Sequence, residues 1–137
     1  MDVHEPEVRS YNMSQIKGKD TKPEMLVRKF LFSKGFRYRL HVKNLPGKPD
    51  IVLPKYKTVI FVHGCFWHGH EGCKYFVVPK TRTDWWLNKI NTNKFNDEKA
   101  IINLRKEHWK IIVLWECYLK PAKAEQTFRM LTINILK

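Results

Sequence analysis

The most constraining feature of the sequence is the run of residues 59–73, where an apolar segment turns into a loop rich in histidine and cysteine. The β-branched segment Val59–Val62 has the composition of a buried strand. The glycine-broken loop after it carries the candidate metal ligands His63, Cys65, His68, His70 and Cys73. Cysteine and histidine are the ligands that zinc prefers, and short spacings let one loop surround one ion. We therefore expect a metal site at the end of a buried strand.

Length and charge restrict the class of protein. A chain of 137 residues is the size of one domain with a single core. Its 26 Lys and Arg against 13 Asp and Glu give a net charge of +13, which favours a nucleic-acid partner over a membrane surface. We find no apolar run of membrane-span length and no signal pattern, so we expect a cytoplasmic monomer that does not bind membranes. In the reducing cytoplasm, the odd number of cysteines, 3, fits a metal set better than disulfides.

The hydrophobic pattern predicts a mixed α/β fold in one domain, residues 21–137, after a polar N-terminal arm, residues 1–20, that contacts DNA. Thr21 and Glu24 have capping-box spacing and open the first predicted helix. The later elements, in chain order, are strands at 36–42, 51–53 and 58–62, helices that open at residues 83–84 and at Asp97, a central strand at 111–115, and a helix from Pro121.

The dipeptide Pro49-Asp50, directly before the strand at 51–53, resembles half of a nuclease signature. In hydrolytic nucleases, a carboxylate at a strand end holds Mg²⁺ against a phosphate. The full signature is Pro-Asp followed by (Asp/Glu)-x-Lys on the next strand. That second half is missing, and His63 occupies the region where the lysine is expected. Pro-Asp alone is usually only a turn.

Several separate blocks together make the resemblance specific. They are Thr21-Lys22-Pro23-Glu24, residues 47–52 (GKPDIV), residues 63–68 (HGCFWH), Thr81-Arg82-Thr83 with Trp86, and Trp115-Glu116-Cys117. In this order they resemble the very-short-patch-repair (Vsr) endonucleases. The resemblance implies a restriction-endonuclease-like mixed sheet flanked by helices, with a structural zinc site. It also implies Mg²⁺-dependent nicking of duplex DNA at a T:G mismatch, with mismatch-repair proteins as further partners.

The resemblance also implies roles for individual residues. The catalytic set would comprise Asp50 as the Mg²⁺ ligand, Val62 as a second contact through its backbone carbonyl, His68 as the residue that activates water, His63 as a second active-site histidine, and Glu24 near the phosphate. Asp97 lies where it could orient His68. The DNA contacts would be Phe66, Trp67, Trp86 and Arg82, and the zinc ligands Cys65, His70, Cys73 and Cys117.

Each role has a structural alternative. Glu24 could be only a capping-box partner, and Cys117 a small buried hydrophobe. Spacing alone does not separate His68 from His70 as the zinc ligand; the resemblance favours His70. Phe66 and Trp67 could be core residues, and we expect Trp85 rather than Trp86 in the core.

Two functions compete with a mismatch endonuclease. One is a zinc-stabilised DNA-binding protein without catalysis, and the other is a restriction-like nuclease that cuts matched DNA. Asp50 and His68 argue against the first, because DNA binding alone gains nothing from a carboxylate that faces a phosphate.

Overall fold

The computed structural model describes residues 20–137. In that part of the chain, three α-helices flank one four-stranded sheet. The helices are α1 (Lys22–Ser33), α2 (Thr83–Lys106) and α3 (Pro121–Leu136). The strands are β1 (Arg39–Leu40), β2 (Ile51–Leu53), β3 (Thr58–His63) and β4 (Lys110–Trp115). Two short 3₁₀ helices, Pro54–Tyr56 and Glu116–Leu119, follow β2 and β4.

The sheet is mixed, with the strand order β1-β2-β3-β4. Strands β1, β2 and β3 pair antiparallel, whereas β3 and β4 pair parallel, with His63 opposite Trp115. A parallel pair needs a long crossover connection, and α2 provides it. The carboxyl ends of β3 and β4 therefore lie side by side, and the chain leaves both at the same edge of the sheet.

Helices cover both faces of the sheet. On one face, Ile60 and Val62 of β3 join a hydrophobic cluster with residues of α1 and α3. On the other face, Val59 and Phe61 pack with Leu104 of α2. All residues of β3 are buried, because alternate side chains point into the two clusters. The predicted α/β class, a mixed sheet flanked by helices, is confirmed.

Three element predictions were wrong. Residues 83–106 form one continuous helix, α2, and not two, so Asp97 lies inside it. The alternating run 36–42 pairs with its neighbour only at Arg39–Leu40. Strand β4 was predicted to be central, but it lies at an edge of the described sheet. The predicted covering of both its faces is confirmed, because Ile112 and Leu114 are buried in one hydrophobic cluster while Ile111 and Val113 pack against the other. An apolar run indicates that helices cover both faces of a strand, and a strand at the edge of a sheet can be covered in the same way as a central one.

The predicted arm, residues 1–20, lies outside the described residues except for Asp20. Among the helices of residues 20–137, none combines the length and hydrophobicity of a membrane span.

Candidate active site and metal centre

A cavity of about 840 Å³ opens where β2, β3 and the start of α1 meet. The predicted catalytic residues line it: Glu24, Asp50, Val62, His63 and His68. Antiparallel pairing of β2 and β3, with Ile51 opposite Ile60, brings Asp50 beside Val62. The sheet thus brings together residues that the sequence separates.

Asp50 is held from two sides. Its Oδ2 accepts a hydrogen bond of 2.7 Å from the backbone N–H of Val62. The Glu24 carboxyl, from the first turn of α1, is close enough to interact electrostatically with that of Asp50. Burial first, and then Glu24, raises the pKa of Asp50 from 3.8 to about 7, although the Val62 N–H opposes the shift. A half-buried carboxyl beside a buried one forms a site that favours a cation.

Glu24 serves α1 as well as the cavity. It completes a capping box with Thr21, and its Oε2 accepts hydrogen bonds from the N–H of Asp20 at 2.6 Å and from Arg28 Nη2 at 3.3 Å. Glu24 is therefore a capping-box partner, as its structural alternative predicted, and it also lies beside Asp50. Pairing with Arg28 compensates the burial of the Glu24 carboxylate.

In protein that keeps its zinc but is assayed without Mg²⁺, we expect the contribution of Asp50 to stability to fall as pH rises. A carboxyl whose pKa rises from 3.8 to about 7 on folding contributes stability that is complete below its unfolded pKa and is lost as pH climbs to its folded value. Asp50→Asn keeps an acceptor for the Val62 N–H but removes this titration. Urea unfolding between about pH 4 and pH 7.5 measures the free energy of unfolding of both proteins. The wild-type value minus the variant value should fall as pH rises.

The same difference cancels the contribution of His63, which is present in both proteins. Burial first, and then His68, lowers the pKa of His63 to about 4, so His63 gains stability as pH rises through the same window. If the difference in unfolding free energy between wild type and variant stays constant with pH, burial does not raise the pKa of Asp50.

His63, His68 and Asp97 form a second cluster. His68 Nδ1 lies 2.7 Å from Asp97 Oδ2, and His63 Nε2 lies 4.0 Å from Asp97 Oδ1. The two imidazole rings stack in parallel, with their centroids 3.8 Å apart. The lowered pKa of His63 keeps that ring neutral at pH 7, which removes like-charge repulsion from the stack. Asp97 can hold the Nδ1–H tautomer of His68, and Nε2 is then the basic nitrogen.

A group that could hold a metal ion comprises Cys65, His70, Cys73 and Cys117, whose ligand atoms all lie within 4.8 Å of one another. Cys117 meets the loop because β4 runs parallel to β3, and its Sγ lies 3.5 Å from His70 Nδ1. The ring of His70 stacks on Trp115, with centroids 4.1 Å apart. Burial raises the pKa of the Cys65 thiol to about 12, so a cation is needed to ionise it. Three sulfurs and one imidazole suit zinc.

Among the described residues, His70 belongs to this cysteine group, and His68 lies against Asp97 instead. Tertiary structure thus separates two histidines that spacing left equivalent.

The predicted DNA-contacting aromatics form one packed cluster. Phe66 and Trp67 are half-buried, and their ring centroids lie 5.4 Å and 5.7 Å from that of Trp86. Trp86 is 6% exposed and Trp85 is 44% exposed, so the expectation that Trp85 is the core residue was wrong. Arg82 is exposed and stacks over Trp85 at 4.9 Å. The buried Trp86 ring thus packs against Phe66 and Trp67 and holds them in place.

Three polar residues that line the cavity received no site role from the sequence: Lys48, Asn93 and Glu116. Asn93 donates a hydrogen bond of 2.8 Å from Nδ2 to the carbonyl of Trp67 and so anchors the aromatic loop. Asn93 and Asp97 are four residues apart on one face of α2. That signal was lost because a helix break was predicted between them.

Comparison with known proteins agrees with this geometry. The family described as DNA mismatch endonuclease Vsr matches residues 1–74. The DNA mismatch endonuclease Vsr of Escherichia coli K12 is 43% identical over 119 residues, which are 87% of this chain and 76% of that protein. The chain belongs to the Vsr family. A type II nicking enzyme of Neisseria meningitidis, V.NmeAIP, is 55% identical and covers 87% of this chain and 84% of its own length. Another from Xanthomonas oryzae, V.XorIIP, is 50% identical, with 87% of each chain covered.

Membership of the Vsr family makes this chain a DNA endonuclease. The predicted family resemblance is confirmed. Among the described residues, the cavity brings together carboxyls and histidines, which are groups that phosphodiester hydrolysis can use.

Proposed function

We propose that this chain nicks one strand of duplex DNA at a T:G mismatch by Mg²⁺-dependent hydrolysis. The observation that carries the proposal is the convergence in one cavity of Asp50 and the His68–Asp97 pair. Asp50 can bind a cation that contacts a phosphate, and the His68–Asp97 pair can act as a general base that activates water. Neither arrangement serves DNA binding alone, which disfavours the purely binding alternative.

His68 acts as the general base in this proposal. Asp97 accepts the Nδ1–H of His68, so that Nε2 can take a proton from water. The water oxygen then forms a bond to phosphorus, the bond from phosphorus to the leaving ester oxygen breaks, and that oxygen takes a proton from solvent. Asp97 also stabilises the imidazolium that forms on His68.

Asp50 would hold Mg²⁺, with the Val62 carbonyl as a second protein contact. The raised pKa of Asp50 fits this role, because a half-buried carboxyl beside Glu24 holds its proton more tightly until a cation replaces it. When bound, Mg²⁺ would neutralise charge that develops on the phosphate.

Zinc is proposed for the group of three cysteines and His70. Its part is structural: it would tie the loop 65–73 to the end of β4 and thereby hold His68 and the aromatic residues in place. The four-ligand set leaves no open position for catalysis.

Phe66 and Trp67 are proposed to insert between base pairs beside the mismatch. Unstacking a base step costs a few kcal/mol, and it costs least where pairing is already weak. Deformability of the duplex would thus contribute to the choice of a mismatched site. The names of the E. coli relative and of the family, which refer to mismatched DNA, support this choice over a matched substrate.

Replacing Phe66 or Trp67 with alanine should narrow the preference for T:G over matched duplex by about tenfold, which corresponds to about 1.4 kcal/mol of lost wedge energy. The salt dependence of binding should stay nearly unchanged, because counterion release reports phosphate contacts by Lys and Arg. Equilibrium binding to paired duplexes at several salt concentrations measures both quantities.

Phe95→Ala is the matched control for this comparison. Phe95 is 65% exposed on α2 and does not line the cavity. Its removal should leave the preference intact. Equal losses of affinity for both duplexes in the Phe66 and Trp67 variants would assign these rings a structural role.

The most direct test of the proposed function is nicking of T:G and matched duplexes of the same sequence in the presence of Mg²⁺. We expect a nick in one strand of the T:G duplex alone. Efficient cleavage of the matched duplex would favour the restriction-like alternative, and binding without cleavage would favour the non-catalytic one.

A further inference from the structure

The cavity that should receive a phosphodiester is dominated by negative side chains. The carboxyl groups among its lining residues are Glu24, Asp50, Asp97 and Glu116. Among the described residues that line it, Lys48 is the only Lys or Arg, although the chain has 26 Lys and Arg in total. Like charges repel a phosphate at short range, so a compensating cation near its non-bridging oxygens has a large effect.

The backbone holds Lys48 at this position from both sides. A Cβ on Gly47 would lie 2.5 Å from Ala100 Cβ and 3.3 Å from the Phe61 ring, so the loop packs tightly against α2 and β3. Pro49 on the other side is fully buried. The Lys48 N–H donates a hydrogen bond of 3.1 Å to the carbonyl of Leu45. The loop between β1 and β2 is thus a rigid support.

Lys48 adopts the left-handed conformation, with φ of +48°. That region favours glycine and costs other residues about 1 kcal/mol. Its side chain is exposed and makes no ion pair or side-chain hydrogen bond within residues 20–137. A strained lysine whose ammonium group has no partner among the described residues, at the rim of a carboxylate-lined cavity, indicates a function in that cavity.

We propose that Lys48 is a catalytic residue whose ammonium group donates a hydrogen bond to a non-bridging oxygen of the scissile phosphate. It replaces, from the β1–β2 loop, the lysine that the nuclease signature places on the strand where this chain has His63. Lys48 forms and breaks no covalent bond, and it stabilises the negative charge that grows on the phosphate oxygens in the transition state. This assignment rests on the proposed function, the hydrolysis of a phosphodiester.

Lys48→Gly is the sharpest test, because it removes the charge and also relieves the backbone strain. Folding should therefore be preserved. With saturating T:G duplex, we expect the single-turnover nicking rate to fall about 100-fold, and duplex affinity to change less than about threefold. Lys48→Arg keeps the positive charge but places it on a planar guanidinium group, and the variant should nick at a rate within about tenfold of wild type.

Lys57→Gly is the matched control. Lys57 also has a positive φ, +51°, but it does not line the cavity, and its ammonium group lies 4.2 Å from the Trp109 ring centroid. The variant loses the same unit charge in the same backbone conformation, and it should nick like wild type.

Three outcomes would overturn the assignment. A Lys48→Gly protein that nicks within about threefold of wild type removes Lys48 from the chemistry while the proposed function stands. Equal rate losses in the Lys48 and Lys57 variants would mean a general effect of charge. A wild-type protein that nicks no duplex would refute the proposed function itself, and with it the role of Lys48.

Discussion

Asp50→Asn should slow nicking of the T:G duplex by about a thousandfold or more, which corresponds to about 4 kcal/mol of lost transition-state stabilisation. The amide can still accept the Val62 N–H, so the hydrogen bond of 2.7 Å that ties β2 to β3 survives. Only the negative charge is lost, and with it the anchor for a divalent cation. Asparagine is therefore a cleaner replacement than alanine, which would leave a buried N–H without an acceptor.

Binding and folding serve as controls for Asp50→Asn. Duplex affinity should be unchanged or higher, because a negative charge that faces a phosphate is gone. Zinc content should equal that of wild type, since Asp50 lies outside the cysteine group. His68→Ala should also lower the rate while zinc is retained. Nicking by the Asp50 variant at the wild-type rate would refute the proposed mechanism.

Loss of a zinc ligand should have the largest effect on stability. Wild-type protein is expected to hold about one zinc per chain, and binding of a structural zinc is itself a source of folding free energy on the order of 10 kcal/mol. Cys117→Ala should therefore release the metal and lower the free energy of unfolding by several kcal/mol, because it opens the group that joins the loop to the end of β4. Elemental analysis together with urea unfolding measures both effects.

The histidine pair offers a matched comparison within the same loop. His70→Ala should lose zinc like Cys117→Ala, and His68→Ala should keep it. Both substitutions remove one imidazole within three positions of each other, so a general disturbance of the loop would affect them alike. Retention of zinc by His70→Ala and its loss from His68→Ala would exchange the two assignments. Folded wild-type protein without zinc would refute the site.

Much of the architecture could be predicted from local pattern. The capping box of Thr21 and Glu24 correctly placed the start of α1, and the β-branched run beginning at Val59 lies in β3. Blocks such as the segment from His63 to His68 were sufficient to predict the Vsr family, which the comparison with known proteins confirms. These features depend on residues close together in the chain, where hydrogen-bonding and side-chain periodicity are set locally.

Only the tertiary structure decided which of these residues meet. Spacing could not distinguish His68 from His70; α2 does, because it carries Asp97 to one histidine, while parallel pairing of β3 with β4 carries Cys117 to the other. Helical phase did not separate Trp85 from Trp86. Lys48 lies in the block 47–52 that carried the resemblance, but the pattern gave it no role, because its position at the cavity arises from how the loop packs against α2 and β3. The sequence by itself determined the ligand types and the strand that precedes them, whereas contacts between distant segments depend on strand pairing and helix packing, which no short window of sequence contains.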